Sequence, residues 1–289
     1  IGSLKDFGVT YEQIALKNND FDFDAINKSI ETEKPKLIFI GRSRGYEWRD
    51  ALSVEKIGKA IKYIKDIDKN ITIMVDNCYG EFMDIIEPSD VNADIMVGSL
   101  IKNPGGGLAP TGGYIAGKEN VISQIAYRLT SPSIGMEIGS YTGGYQQFYQ
   151  GIFLAPHTTM NATKGSALFG QVFSDLGYQV CPNPTAKCND TVRSIKFNTK
   201  DELISFIQMI QKASPIDSNV LPLPWDMPGY DNQVIMAAGT FVAGSSIELS
   251  ADSPIKEPYI AYVQGGLTYE HVKIAVIMCV SELLKNKNF

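Results

Sequence analysis

The sequence predicts an α/β protein with a mostly parallel sheet in its first half and a smaller α+β unit in its second half. Three observations support this fold class. Short apolar runs alternate with helix or loop segments between residues 36 and 117, as in strands that are covered on both faces of a sheet. From residue 194 onward a strand and a helix are followed by further strands and a final helix, a pattern that fits a smaller α+β unit. A long helix is predicted between the two parts.

The first half begins with turns and one amphipathic segment, and its strands then end at polar or glycine residues. Apolar residues at helical spacing between residues 50 and 65 predict the first clear helix. The predicted strands are Lys36–Gly41, Ile71–Asp76, Asp94–Gly98 and Gly113–Ala116, and the predicted helical segments are Phe23–Ile30, Asp50–Lys65 and Asn120–Leu129. Ligands of such a sheet bind beyond the carboxyl ends of its strands.

The second half follows a connecting loop at residues 131–151, which is rich in Gly, Ser and Tyr. We predict helices at Ala155–Leu176, Lys200–Lys212 and Thr268–Lys285, and strands at Ser194–Phe197, Val234–Ala238, Ser246–Leu249 and Tyr259–Val263. Thr268 is a suitable N-cap for the last helix. We place a large domain at residues 1–150 and a small domain, with the long connecting helix, at residues 151–289.

Composition excludes several classes of function. The 289 residues are 44% hydrophobic and 20% charged, with a net charge of −6, and no basic run suggests nucleic acid or an anionic membrane as a partner. No stretch is apolar for the length of a bilayer. The four cysteines form no C-x-x-C pair and there are two histidines, so we expect no metal site and reduced thiols in a cytoplasmic protein.

One lysine stands between a strand and a glycine-rich loop in the stretch Ser99–Gly107. Because the apolar run Ala93–Gly98 reads as a buried strand, Lys102 is expected at the rim of a core, where its amine is partly removed from water. Such a lysine is typical of Schiff-base chemistry with a carbonyl, above all with pyridoxal phosphate. The plainer alternative is a solvated loop lysine followed by tight glycine turns.

An acid at the end of a neighbouring strand supports the first interpretation. Asp76 closes the apolar run Ile71–Val75, and pyridoxal phosphate requires a carboxylate beside its ring nitrogen. Ser99 precedes Lys102 by three residues, so its hydroxyl is a candidate ligand of the cofactor phosphate. Tyr79 is a candidate cofactor contact, although a tyrosine at such a position more commonly packs locally.

Arginines supply the candidate groups for a substrate carboxylate, which arginine binds in a bidentate manner. Arg42, Arg44 and Arg49 follow the strand that ends at Gly41, at the same predicted edge as Asp76. Arg44 is our first choice, Arg42 is a second candidate, and Arg193 is the alternative from the second half. A surface ion pair is the alternative role for each.

These motifs together resemble the fold-type I enzymes that use pyridoxal phosphate. More closely, the chain is similar to the methionine γ-lyase-like family often labelled aluminium resistance proteins. The shared segments are GRSRGYEWR (Gly41–Arg49), VDNCYGEF (Val75–Phe82), GSLIKNPGGGLAPTGGYIAG (Gly98–Gly117), PWDMPGYDNQVIMAAGTF (Pro224–Phe241) and YVQGGLTYEHVK (Tyr262–Lys273). They span most of the chain, and the lysine loop is the most specific of them.

The resemblance implies a fold, a reaction and an assembly. It implies the fold-type I pyridoxal phosphate-dependent transferase fold and a lyase that removes a β- or γ-substituent from a sulfur-containing amino acid, as methionine γ-lyase or cystathionine β-lyase does. Lys102 would be catalytic, and Asp76, Ser99 and Tyr79 would bind the cofactor. A homodimer or homotetramer is expected, with residues 141–153 as a candidate contributor to the interface.

Other interpretations stay open on sequence grounds. Family members are longer at the N-terminus, so the large domain is expected to be incomplete, without the N-terminal arm and the phosphate-binding glycine turn. Transamination, racemisation or aldol cleavage on the same cofactor is an alternative, as is an inactive fragment or scaffold. A nucleotide-phosphate loop is disfavoured, because the G-x-x-x-x-G-K-[ST] order does not occur here.

Overall fold

A computed structural model of the protein describes residues 3–286, which form two β-sheets. The first sheet has four strands and the second has five. The long helix α4 (Gln146–Asp175) lies between the two sheets in the chain and contacts elements of both halves. The predicted mixed α/β class is confirmed, and the predicted division at residue 150 stays a prediction.

The first sheet supplies one common edge for the ends of three strands. Its order is β1 (Leu37–Gly41), β2 (Thr72–Asp76), β3 (Ile95–Ser99) and β4 (Gly113–Gly117). The first three strands are parallel and β4 runs antiparallel to β3. The carboxyl ends of β1, β2 and β3 therefore meet at one edge, as the sequence predicted.

Three helices accompany the first sheet, namely α1 (Phe23–Glu33), α2 (Val54–Ile67) and α3 (Glu119–Leu129). Helix α2 begins at Ser53, whose hydroxyl accepts a hydrogen bond from the N–H of Lys56 and so satisfies one free backbone donor. Its apolar face packs on β1 and β2 through residues at helical spacing, which are Ile57, Ile61 and Ile64.

The second sheet is antiparallel throughout and has the order β5-β6-β9-β8-β7. Its strands are β5 (Gln179–Cys181), β6 (Arg193–Lys196), β7 (Val234–Ala237), β8 (Ser250–Pro254) and β9 (Ile260–Gln264). Helices α5 (Lys200–Ala213) and α6 (Tyr269–Asn286) complete this part of the fold.

The two faces of the second sheet differ in character. Side chains alternate along a strand, so Ala261 and Val263 of β9 join the hydrophobic core under α4, α5 and α6. Tyr262 and Gln264 lie on the opposite face. Gln264 bonds to Tyr79 of the first half, so this second face turns toward the edge where β2 and β3 end.

The predicted strand Ser246–Leu249 is wrong, because the strand begins only at Ser250. The backbone of this segment bonds outside the sheet: the N–H of Ile247 donates to the carbonyl of Ile101. The side chain of Glu248 also accepts from two backbone donors of the preceding loop. These contacts hold the segment against the lysine loop instead of beside a strand.

One further prediction needs correction, and one strand was missed. Helix α4 starts at Gln146 and not at Ala155, because Gly151 lets the helix approach the backbone of Gly105; a Cβ on Gly151 would lie 2.3 Å from that carbonyl oxygen. The short strand β5 was not predicted. Its three residues carry too little periodicity for a sequence signal.

We predict that Phe206→Ala destabilises the protein by about 3–5 kcal/mol. Phe206 is fully buried, and its ring centroid lies 5.1 Å from that of Phe197 and 5.3 Å from that of Phe173. The free energy of unfolding from urea titrations measures the loss. The control is Phe241→Ala, at a residue that is 68% exposed, and its effect is expected within about 0.5 kcal/mol. Equal effects of the two variants would contradict the assignment of this core.

Candidate active site

The ends of β2 and β3 bring three of the predicted site residues together. Asp76 is the last residue of β2 and pairs with Val97 of the parallel neighbour β3, which ends at Ser99. A turn follows, in which the N–H of Lys102 donates to the carbonyl of Ser99 at 3.3 Å. A carboxylate, a hydroxyl and a lysine therefore leave the sheet at one edge.

Within the described residues, the amine of Lys102 contacts an aromatic ring and forms no ion pair with a carboxylate. Its Nζ lies over the ring of Tyr79, 5.1 Å from the centroid, which is a cation–π arrangement. Among the ion pairs of residues 3–286, none involves Lys102. The side chain is partly buried. It is therefore placed as an amine available for chemistry at the sheet edge.

The loop that carries Lys102 is fixed from three sides. The Nδ2 of the next residue, Asn103, donates to the carbonyl of Glu81 at 2.9 Å. The hydroxyl of Thr158 on α4 donates to the carbonyl of Gly106 at 3.2 Å. Gly106 has φ +55°, and a Cβ there would lie 2.4 Å from a carbonyl oxygen of α4, so only glycine fits. The position of Lys102 is therefore set by the contacts of its loop with Glu81 and with α4.

At the end of β2, the carboxylate of Asp76 is oriented by a neighbouring backbone group. Asp76 Oδ1 accepts a hydrogen bond from the N–H of Cys78 at 3.0 Å, which orients the carboxylate. Burial raises the pKa of the Cys78 thiol to about 12, so this side chain is neutral at physiological pH. A carboxylate beside a neutral, partly buried thiol is suited to hold a protonated ring nitrogen.

Tyr79 joins the two sheets. Its hydroxyl accepts a hydrogen bond from Nε2 of Gln264 at 2.9 Å, and its burial raises the pKa of the phenol above the ordinary range. Its φ is +66°, a conformation that non-glycine residues adopt at some cost. The fold holds this tyrosine between Lys102 and the second sheet, so it can position the amine. Its role as a cofactor contact stays a prediction.

Arg44 forms a buried bidentate ion pair with Asp190. Its Nη2 lies 2.8 Å from Oδ1 and its Nε lies 3.3 Å from Oδ2, and Nη1 donates to the carbonyl of Cys181 at 2.8 Å. Burial acts to lower the pKa of Arg44, but Asp190 outweighs it and the net pKa is raised. The guanidinium is thus charged and engaged within the fold, and its role toward a substrate carboxylate stays a prediction.

Arg42 and Arg193 are also buried but are directed elsewhere. Arg42 donates to Oδ1 of Asn77 at 2.7 Å and pairs with Glu87 at 3.3 Å. Arg193 donates to the carbonyl of Ser166 on α4 at 3.1 Å, on the helix side of the second sheet. Desolvation lowers the pKa of both guanidinium groups. The structure does not bring Arg193 to the edge that carries Lys102.

Two acids near this edge, the buried Glu81 and the partly buried Asp252, were missed by the sequence analysis. Glu81 accepts a hydrogen bond from the hydroxyl of Tyr114 at 2.9 Å, and its burial raises the pKa of the carboxyl to about 8. Asp252 on β8 has a pKa raised to about 7, again by burial. A Cβ on Gly98 would lie 2.4 Å from Glu81 Oε1, which is a tertiary contact that no local sequence pattern reveals. Asp252 lies in a strand of small and polar residues, Ser250–Pro254, outside the strands that the sequence predicted.

Histidines and metal ligands add nothing to this edge. The ring Nε2 of His271 contacts the carbonyl of Ala213 at 2.7 Å, which is a structural contact. Across residues 3–286, no group of three or more His, Cys, Asp or Glu side chains is arranged to hold a metal ion. In the same part of the chain no helix is long and apolar enough to cross a membrane.

Comparison with known proteins identifies close relatives. The family model described as methionine gamma-lyase matches residues 1–284. The uncharacterized Bacillus subtilis protein YnbB is 48% identical over 287 residues, which are 99% of this chain and 68% of that protein.

Solved structures of similar proteins agree with this match. A "putative cystathionine beta-lyase involved in aluminum resistance" from Clostridium acetobutylicum is 48% identical with a TM-score of 0.93, and the match covers 98% of this chain and 66% of that one. A carbon-sulfur lyase involved in aluminum resistance from Clostridium novyi NT is 51% identical with a TM-score of 0.92, over the same shares of the two chains. The chain thus spans about two thirds of the length of these relatives.

More distant structures share the fold alone. Ureidoglycine-glyoxylate aminotransferase from Bacillus subtilis is 14% identical with a TM-score of 0.61, covering 97% of this chain and 69% of that one. Histidinol-phosphate aminotransferase from Sinorhizobium meliloti, solved with pyridoxal 5'-phosphate, is 10% identical with a TM-score of 0.51.

We predict that Asp190→Ala lowers the free energy of unfolding by about 3–5 kcal/mol, because it leaves the buried guanidinium of Arg44 without its counter-charge. Urea titration measures this loss. The control is Glu47→Ala, which removes the partner of Arg49 at the surface and should cost less than about 1 kcal/mol. A loss at Asp190 as small as that of the control would show that Arg44 reaches water or another anion.

We predict that Glu81 makes stability fall as pH rises from about 6 to 8. The folded-state pKa of about 8 lies above the ordinary 4.5, so the folded protein holds a proton that the unfolded chain has lost. The stabilisation is full below the ordinary value and disappears as pH rises through about 8, at up to about 1.4 kcal/mol per pH unit.

Urea titrations of the wild type and of two variants, at about pH 6 and at about pH 8, test this prediction. Glu81→Gln, which has no proton to lose, should remove this part of the pH dependence. Glu270→Gln, at an exposed position, should leave it unchanged. The prediction fails if Glu81→Gln and the wild type lose the same stability over this range.

Proposed function

The chain belongs to the methionine gamma-lyase family, and on this premise we propose that it forms part or all of a pyridoxal phosphate-dependent carbon–sulfur lyase of fold type I. The substrate class is a sulfur-containing amino acid. The observation that carries the proposal is the unpaired amine of Lys102 beside Asp76 and Ser99 at the common edge of two parallel strands. The family and the carbon–sulfur lyase relative support the reaction type.

The residues of this edge fit the cofactor. Lys102 is the amine that would form the Schiff base, and no ion pair within residues 3–286 involves it. Asp76 is already oriented by the N–H of Cys78 and would hold the proton on the ring nitrogen. The hydroxyl of Ser99 would donate to the phosphate. These three chemical groups are the ones that the cofactor requires.

When bound, the cofactor withdraws electrons from the α-carbon of an amino acid, which makes loss of the α-proton and of a β- or γ-substituent possible. Lys102 Nζ would be the base for the α-proton of an amino acid bound at this edge. Tyr79, below that amine, holds Nζ over its ring and so limits where the proton is carried. Elimination of the sulfur substituent, followed by hydrolysis with one water, would release a thiol, a keto acid and ammonia.

Arg44 is the candidate that we keep for the substrate carboxylate. It alone among the three arginines contacts the second sheet from the side that faces the Lys102 edge, where its Nη1 lies 3.5 Å from the hydroxyl of Ser194. The ion pair with Asp190 fixes its orientation. Arg42 remains a second candidate at the first sheet, and Arg193 would have to leave its contacts with α4.

The same proposal includes the substrate class, the cellular location, the partners and the oligomeric state. We expect a small amino-acid substrate, a cytoplasmic location and no nucleic-acid or membrane partner, in line with the net charge of −6. A homodimer or homotetramer is supported by aromatic side chains that are exposed in residues 141–153, which are Tyr141, Tyr145, Tyr149 and Phe153. The division into domains 1–150 and 151–289 is part of this proposal.

The test is the absorption spectrum of the full chain with pyridoxal phosphate. We expect a visible band for the wild type that borohydride abolishes, with the reduced cofactor left attached to the peptide that contains Lys102. Lys102→Ala should show no covalent attachment after borohydride. Lys273→Ala, at an exposed lysine of α6, should behave as the wild type.

Product analysis then tests the reaction. With L-methionine or L-cystathionine we expect a keto acid together with stoichiometric ammonia and thiol, and a loss of at least about 10³-fold in kcat for Lys102→Ala. Keto acid without ammonia would indicate transamination and would reject the lyase assignment. A band that persists in Lys102→Ala would reject Lys102 as the cofactor lysine.

A further inference from the structure

A tight turn follows β2 and carries Tyr79, the residue whose ring lies under the amine of Lys102. Tyr79 has φ +66° and Phe82 has φ +60°, so two non-glycine residues of this turn have a positive φ, which costs free energy. Such a backbone persists only where surrounding contacts hold it. Gln264 fixes the hydroxyl end of Tyr79, and Glu81, between the two strained residues, fixes the backbone of the turn.

The carboxyl of Glu81 anchors this turn to the first sheet. The side chain is buried, and the hydroxyl of Tyr114 on β4 donates to its Oε1 at 2.9 Å. The same oxygen fills the space that Gly98 leaves on β3, where any side chain would collide with it. Gly98 comes directly before Ser99 at the end of β3. The carboxyl is therefore packed against the strand that leads to Lys102.

The main chain of Glu81 holds the residue next to the lysine. Its carbonyl accepts a hydrogen bond from Nδ2 of Asn103 at 2.9 Å, and the side chain of Asn103 is fully buried. Lys102 is joined to Asn103 in the chain, and its amine lies over Tyr79. One residue, Glu81, therefore fixes the two supports of this lysine, of which one holds its backbone and the other lies under its amine.

The carboxyl of Glu81 serves this purpose as a neutral group. No ion pair within residues 3–286 involves it, and Arg42, which lies against Gly80 of the turn, bonds to Asn77 and Glu87 instead. Burial raises the pKa of Glu81 to about 8. A neutral carboxyl acts through its hydrogen bonds and its shape, so a glutamine can replace it and an alanine cannot.

We infer that Glu81 is a positioning residue for the amine of Lys102. It acts through Tyr79 and Asn103, and the inference rests on the proposed function, in which Lys102 is the reacting amine. Without the carboxyl, the strained turn relaxes and the ring of Tyr79 moves away from the amine. Lys102 then becomes an ordinary loop lysine whose amine is less often where a carbonyl can meet it.

The test reads the position of the amine by NMR, in the full chain and without cofactor. Isotope-labelled formaldehyde and a borohydride reagent convert each lysine amine to a dimethylamine that keeps its charge at neutral pH, and Lys102→Arg identifies the Lys102 signal. The ring of Tyr79 should displace this signal from that of the exposed Lys273, and Tyr79→Leu should abolish the displacement. We expect Glu81→Ala to lose most of the displacement and Glu81→Gln to keep it.

Further variants separate positioning from a general effect on the fold. Tyr114→Phe removes the hydroxyl that holds the carboxyl, should reduce the displacement in the same direction, and decides the matter if Glu81→Ala does not fold. Glu270→Ala, at an exposed position of α6, should leave the signal unchanged. The Tm of each variant is measured beside it. A merely structural carboxyl would lower Tm and leave the Lys102 signal of the folded variants where it is in the wild type.

A second measurement adds pyridoxal phosphate. The amount of cofactor that borohydride attaches to Lys102, followed over a range of cofactor concentrations, gives an apparent dissociation constant. Loss of a buried hydrogen bond that positions the amine should raise this constant roughly 10-fold in Glu81→Ala, and Glu81→Gln should raise it by less than about 2-fold.

The outcomes distinguish this inference from the proposed function. A displacement that Glu81→Ala and Tyr114→Phe leave intact, or that Glu81→Gln loses as fully as Glu81→Ala, overturns the inference even if the wild type cleaves a sulfur amino acid. So does an unchanged dissociation constant in a variant that has lost the displacement. A displacement lost in Glu81→Ala and kept in Glu81→Gln supports the inference even if the wild type binds no pyridoxal phosphate. That last result would reject the proposed function alone.

Discussion

The parallel pairing of β2 with β3 is the constraint on which the candidate site depends. It places the end of β2 at Asp76 beside the end of β3 at Ser99, and the turn that follows delivers Lys102 to the same edge. Within residues 3–286, Asp76 and Lys102 form no ion pair with each other. The N–H of Cys78 orients Asp76, and the amine of Lys102 lies over the ring of Tyr79. A shift of one strand by one residue would turn these side chains to the opposite face.

A second requirement is the contact between the two sheets. Gln264 of β9 reaches Tyr79, and the segment before β8 bonds to the backbone of Ile101 beside the lysine. The second sheet therefore helps to fix the loop that carries Lys102, and it also supplies the polar face that lies opposite. This explains why polar side chains such as Asp252 and Gln264 stand in strands whose other face is a hydrophobic core.

Several charged side chains lie out of water near the ends of β2 and β3, and their burial costs stability. Arg44 with Asp190 is fully paired, and such a pair contributes orientation more than net stability. Glu81 and Asp252 have carboxyl pKa values that desolvation raises. Groups of this kind are concentrated at functional sites, where their cost is tolerated for the chemistry they allow.

The sequence by itself determined the strands that end at Asp76 and before Lys102, because continuous apolar runs and the residues that close them are local signals. It also determined the mixed α/β class and the family resemblance. Only the tertiary structure decided that Ser246–Leu249 bonds to the lysine loop and not in the sheet, that Arg193 turns to α4, and that Arg44 is paired with Asp190. Glu81 and Asp252 emerged in the same way. Burial and pairing depend on partners far away in the chain, and no local pattern encodes which partner a charged side chain will meet.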